Sequence, residues 1–137
     1  MCDARPRGNA LLSKKGRHIM VALAGGRCVY CASVLRFGAL SAKQAPEADH
    51  LIAHTNGGSD SPKYLAAVCK SCNSSRRASR LLNDAGEVCW WLPTRLVELG
   101  ICKDWTESRA LARVRIRRAF KLGRQLHAAL EAIGRTK

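Results

Sequence analysis

The alternation of apolar and polar positions divides the chain into three stretches. Before Ser13, Pro6, Gly8 and Asn9 break any periodic pattern. From Ser13 to Ala24 the run SKKGRHIMVALA has helical character, and Gly25-Gly26 is suited to end it because glycine accepts the left-handed conformation of a helix C-terminus. Asn83-Asp84-Ala85-Gly86 reads as a turn, EVCWWLP after it as a strand or buried segment, and the remainder as helical patterns on either side of Gly100. The last of these opens with Asp104 and Glu107 at capping-box spacing. Leu111, Val114, Leu122, Leu126, Leu130 and Ile133 recur at helical intervals and are expected to pack inward. The pattern predicts a lead-in with a short helix over 1–24, a central module over 25–82 and a helical extension over 83–137.

Charge narrows the partners. The 137 residues hold 24 Lys and Arg against 10 Asp and Glu, a formal net charge of +14, which favours a polyanion such as DNA. Arg109, Arg113, Arg117, Lys121 and Arg124 form a second stripe on the predicted C-terminal helix. Arg113, Arg117 and Lys121 are candidates for tracking a phosphate backbone, although such a stripe also serves as a solvated face. No run approaches the roughly 18 apolar residues of a membrane span, so no membrane partner is expected. The expected compartment is the cytoplasm of a bacterial or phage-infected cell.

Seven cysteines are an odd number, and four of them form two Cys-x2-Cys pairs, Cys28/Cys31 in CVYC and Cys69/Cys72 in CKSC. Four thiolates in this pattern suit a structural, tetrahedral Zn2+ and fit a reducing compartment better than disulfides do. Cys2, Cys89 and Cys102 are left over, with Cys89 beside Trp90-Trp91 expected as a buried apolar residue. The tryptophans themselves read as core before they read as base-stacking groups. The segment between the pairs, 32–68, exceeds the roughly 15–20 residues usual in a zinc ribbon. It contains EADHLIAHTNGG, with Asp49-His50 followed by His54 and a turn on Asn56, Gly57 and Gly58.

Zinc with four protein thiolates has no position for water, so chemistry must be sought in this inserted loop. Adjacent side chains on an extended segment point to opposite sides, so Asp49 and His50 would take different tasks. A carboxylate is the hard oxygen ligand that Mg2+ prefers, and a neutral imidazole can take a proton from water near neutral pH. Asn73 follows Cys72 where a helix should begin. Helical residues about 100° apart would let Cys72 face zinc while Asn73 faces the hairpin. Arg76 and Arg77 return to about the same face as Asn73 and could grip phosphates.

CVYC, ADHLIAHTNGG and LAAVCKSCNSSRR, in that order, resemble the zinc-knuckle branch of the HNH endonucleases over about residues 25–80. The resemblance implies an α+β protein: a ββα-metal module stapled by the four-cysteine zinc site, carrying an N-terminal helix and a mainly helical basic extension. It further implies a metal-dependent DNA endonuclease acting on DNA, double-stranded by expectation, with His50 as general base. Asp49 and Asn73 would hold one catalytic Mg2+ or Mn2+, and the products would carry a 5′-phosphate and a 3′-hydroxyl. His54, next to Ala53, is a candidate for holding the DNA phosphate or the metal, its other reading being an exposed loop histidine. Two positions depart from the family pattern: Tyr64 stands where an Asn braces the loop of the base, and Ala53 stands where a Pro is common. The competing readings are a zinc-stapled DNA- or RNA-binding module without catalysis and a zinc-stapled protein-interaction module.

Overall fold

The computed structural model describes residues 12–38, 43–53 and 57–134. Helix α1 covers Lys14–Leu23 and is capped by Ser13, whose Oγ accepts from the Gly16 N–H. It stops where Gly25 and Gly26 adopt φ of +70° and +74°. Strands β1, Pro46–His50, and β2, Leu65–Cys69, form an antiparallel pair in the register Pro46 opposite Cys69 and His50 opposite Leu65. A 3-10 turn, Pro62–Tyr64, leads into β2. Helices α2, Lys70–Arg76, α3, Trp91–Glu98, and α4, Trp105–Ala132, follow among the described residues. The sheet and α2 give the ββα order, and the architecture is the α+β class that the sequence predicts.

The C-terminal helix begins as its capping pattern requires. Asp104 accepts from the Glu107 N–H, while Glu107 reaches back to the N–H of Lys103 instead of that of the cap residue. Its buried face differs from the expected one. Leu126 and Leu130 are buried, and Leu111 and Leu122 pack at the margin, but Val114 and Ile133 are exposed at 57% and 49%. The buried stripe consists instead of Ser108, Ala112, Ile116, Ala119, Gly123, Leu126 and Leu130. Small residues win this face because backbone approaches backbone there. A Cβ on Gly123 would lie 2.0 Å from the carbonyl oxygen of Lys63, in the 3-10 turn. The larger apolar residues counted from sequence could not occupy such a contact.

EVCWWLP is mostly neither strand nor buried throughout. Val88 makes an isolated bridge with Leu82, and the chain then turns directly into α3. Pro93 sits in the first turn of that helix, where a missing N–H costs little. Trp91 is buried and meets Tyr30 edge-on with ring centroids 5.2 Å apart, whereas Trp90 is 62% exposed. Helix periodicity separates the two tryptophans, so the core reading holds for one of them. Cys89 is half-buried and Cys102 buried; Cys2 lies outside the described residues.

The tight seat of α4 on the 3-10 turn has a measurable consequence. Gly123→Ala forces backbone apart and is expected to destabilise the fold by about 1–3 kcal/mol, the usual range for overpacking. A lowered denaturation midpoint with unchanged slope checks it, and an unchanged midpoint would contradict the close approach.

Candidate active site and zinc centre

The first knuckle folds by a tight turn in which the Ala32 N–H bonds the Cys28 carbonyl at 2.9 Å and Ala32 itself takes φ of +66°. The Val29 N–H bonds the Ala67 carbonyl at 3.0 Å, which fixes the knuckle to β2. The second knuckle sits at the β2–α2 junction, where Cys69 Sγ accepts from the Cys72 N–H at 3.4 Å. Together these place the sulfurs of Cys28, Cys31, Cys69 and Cys72 within 4.8 Å of one another. The Cys31 and Cys69 sulfurs are 3.8 Å apart. A tetrahedron with Zn–S bonds of about 2.3 Å has edges of about 3.8 Å, so the four residues fit a zinc ion.

Crowding of four thiols separates their acidities. Sharing of protons with Cys28 pulls Cys69 down to about 6, and the same sulfur–sulfur bonding holds Cys31 below and Cys28 and Cys72 above the usual thiol range. Arg95 of α3 lies beside this group. Burial works against its charge, but a hydrogen bond to Cys72 and the attraction of the thiolates raise its affinity for the proton. Its Nη2 bonds Ser71 Oγ at 2.9 Å. The extension therefore sets a cation against a centre that would carry net negative charge with zinc bound.

On β1, Glu47 and Asp49 share one face and His50 turns to the other, as strand alternation requires. The Glu47 and Asp49 face looks at α2. Asn73 donates its Nδ2 to Glu47 Oε1 at 2.6 Å, and one turn later Arg76 donates Nη1 to Asp49 Oδ2 at 2.7 Å. Tyr30, from the first knuckle, also donates its hydroxyl to Asp49 Oδ2 at 2.7 Å. Complete burial, followed by the nearby Asp49 charge, raises the Tyr30 hydroxyl well above its ordinary range, so it stays a donor. His50 directs Nε2 to Asp60 Oδ1 at 2.9 Å.

Among the described residues, Arg76 is a predicted phosphate contact that the structure places elsewhere. Its side chain is 1% exposed. Besides Asp49, it donates to the carbonyls of His50 at 2.6 Å, Leu51 at 3.0 Å and Ser79 at 2.8 Å. Burial opposes its charge, yet Tyr30 and Asp49 raise its hold on the proton. Spacing from Asn73 put Arg76 on the correct face, but that face is covered by β1, which a spacing argument could not show. Arg77, by contrast, is exposed at the helix end, and Arg113, Arg117 and Lys121 are exposed along α4. His54 and Asn56 lie outside the described residues.

At Tyr64 the contact with the loop after His50 is made by the backbone. The Tyr64 carbonyl accepts from the Leu51 N–H at 2.7 Å, while its ring turns to Phe120 of α4 with centroids 6.4 Å apart. Arg76 supplies the side-chain brace to the same loop. A second clasp holds the glycine turn: the Gly58 N–H bonds the Ala53 carbonyl at 3.0 Å, and a Cβ on Gly58 would overlap the Ile52 carbonyl. Glu47 and Asp60 were not singled out by sequence. The strand period marks Glu47 as a neighbour of Asp49 on one face, but no local signal marks Asp60.

The HNH endonuclease family matches residues 28–79, less than half of the chain, and this segment includes both knuckles, the hairpin and α2. The match agrees with the resemblance and supports a nuclease-type function acting on nucleic acid. No curated protein and no solved structure matches the chain. Among the described residues, no helix is long and apolar enough to cross a membrane.

Removing the buried cation separates structure from binding. Arg76→Met leaves Asp49 without its cationic partner and is expected to cost about 3–5 kcal/mol of stability, the range for breaking a buried ion pair. Thermal or denaturant unfolding checks this, and stability unchanged from wild type would contradict the role given to the guanidinium.

Proposed function

We propose that the protein is a metal-dependent DNA endonuclease in which His50 activates the attacking water. The observation that carries this reading is the placement of Asp49 and Asn73 on facing elements while the adjacent His50 turns away from them. Asp49 and Asn73 offer a carboxylate and an amide oxygen, hard donors suited to Mg2+ or Mn2+. With Nδ2 held by Glu47, the Asn73 amide presents Oδ1 on its other side. Tyr30 and Arg76 both use Asp49 Oδ2, so Oδ1 is the oxygen assigned to the ion. A bound ion would supply charge stabilisation to the phosphoryl oxygens and the departing 3′ oxygen.

The chain's own contribution is positional. His50 takes the proton of the water that attacks phosphorus, a role within the reach of a neutral imidazole. Arg76 holds the backbone on which that ring sits. Arg77 and the α4 stripe of Arg113, Arg117 and Lys121 grip phosphates on either side of the scissile bond, and double-stranded DNA suits the length of a 28-residue helix. The site of the four thiolates holds zinc as a structural ion and leaves the chemistry to the loop it closes.

Cleavage of supercoiled plasmid with Mg2+, and its loss with EDTA, tests the reading against a module that only binds. His50→Ala should lower cleavage by about 10²–10⁴-fold while retaining zinc and DNA affinity. Wild-type turnover by this variant would sink the assignment of the base.

The phosphate stripe has a separate measure. Each phosphate neutralised on duplex DNA contributes about −0.9 to the slope of log affinity against log salt, so changing Arg113, Arg117 and Lys121 together to Gln should flatten it by roughly 2–3 units. The titration uses the His50→Ala protein in Ca2+, which keeps the DNA intact. An unchanged slope, with circular dichroism confirming the helix, would assign the stripe to solvent.

A further inference from the structure

We infer that Asp60 is a positioning residue that selects the tautomer and aim of His50; this rests on the reading of His50 as the base. Asp60 lies on the loop between the glycine turn and the 3-10 turn, ten positions after His50, and its Oδ1 meets His50 Nε2 at 2.9 Å. The histidine side chain is 15% exposed and the carboxylate 46% exposed, so the pair sits at the protein surface with the ring mostly sheltered.

An ionised carboxylate only accepts hydrogen bonds. A neutral imidazole facing it must therefore carry its hydrogen on Nε2, which makes Nδ1 the basic nitrogen. The proton leaving water then goes to Nδ1. The water oxygen forms its bond to phosphorus, the bond from phosphorus to the 3′ oxygen breaks, and solvent protonates that oxygen. The positive charge that His50 acquires is stabilised by the Asp60 carboxylate, the same logic by which a carboxylate orients the histidine of a hydrolase triad.

The surrounding geometry favours such a device in this chain. The ring is attached to a strand end whose carbonyls are fixed by Arg76 and whose next N–H is fixed by Tyr64, so the backbone is set. Backbone restraint does not fix rotation of the imidazole. A side-chain partner does, and Ser61 following Asp60 caps the 3-10 turn by accepting from the Lys63 N–H at 3.3 Å, which anchors the loop that presents the carboxylate.

The test combines spectroscopy with a double-mutant cycle on the full chain. Nitrogen chemical shifts of the His50 ring, measured about two units above the ordinary histidine pKa of about 6.5, should report the Nε2–H tautomer in wild type and a mixture in Asp60→Ala. Asp60→Ala should lower kcat by about 10–100-fold, the range for outer partners of functional histidines, with KM, zinc content and circular dichroism unchanged. In the His50→Ala background the same substitution should have no further effect on residual cleavage, because a residue acting only through His50 has nothing left to act on. A wild-type kcat in Asp60→Ala, an Nδ1–H tautomer in wild type, or an equal loss in both backgrounds would overturn the inference and leave the base assignment standing. Wild-type turnover by His50→Ala would instead remove the base assignment and this inference with it.

Discussion

The Arg76 guanidinium is the group on which the arrangement of the site depends. A buried cation is costly unless charge and hydrogen bonds compensate it, and here Asp49, three backbone carbonyls and the Tyr30 hydroxyl do so. Those five partners come from four parts of the module: the first knuckle, the end of β1, the loop after it and the exit from α2. A single planar side chain with several fixed donors can join all of them, which a flexible lysine ammonium with one point of charge could not. The zinc knuckles set where β1 and α2 begin, and Arg76 sets how the strand end lies against the helix.

Most of the central module was legible in the sequence because its constraints are local. Cys-x2-Cys spacing needs only a tight turn, and strand alternation separates Asp49 from His50 without any tertiary information. Helix entry after Cys69 then places Cys72 and Asn73 on different sides. The exposed or buried state of Arg76 was not legible, because both alternatives satisfy the same helical spacing. What decides it is the pair of partners, Asp49 and Tyr30, separated from it by 27 and 46 positions. Asp60 was invisible for a similar reason, since its meeting with His50 is made by the course of a loop.

The extension shows the limit of apolar periodicity. Counting large residues found Leu126 and Leu130 but missed Ile116 as well as Ala112, Ala119 and Gly123, and at Gly123 it is closeness of backbones, not side-chain volume, that determines the contact. The consequence is a short lever between α4 and the site. The Gly123 contact seats α4 on the 3-10 turn, the Tyr64–Phe120 ring contact lies beside it, and Arg115 bonds the Tyr30 carbonyl at 2.6 Å. Helix α4 thus touches the matched segment at two places, the knuckle that carries Tyr30 and the 3-10 turn that precedes β2.

That seating also orients the basic stripe. Phe120 lines a cleft of about 230 Å³ with Leu51, Ile52, Arg80 and Leu82, so this side of α4 faces the loop that follows His50. On a helix, residues three, four and seven positions apart share a side, which groups Arg113, Arg117 and Arg124 with Phe120. The opposite flank is the one whose Arg115 reaches back to the zinc knuckle. The positive charge of the extension is therefore divided: Arg95, Arg115 and Arg118 are engaged within the fold, and the exposed Arg113, Arg117 and Arg124 border the side on which the loop after His50 emerges. Under the proposed function, nucleic acid held along that border would approach His50 from the α4 side. Charge that was only a composition at the outset becomes a direction once Gly123 fixes how the helix is rolled.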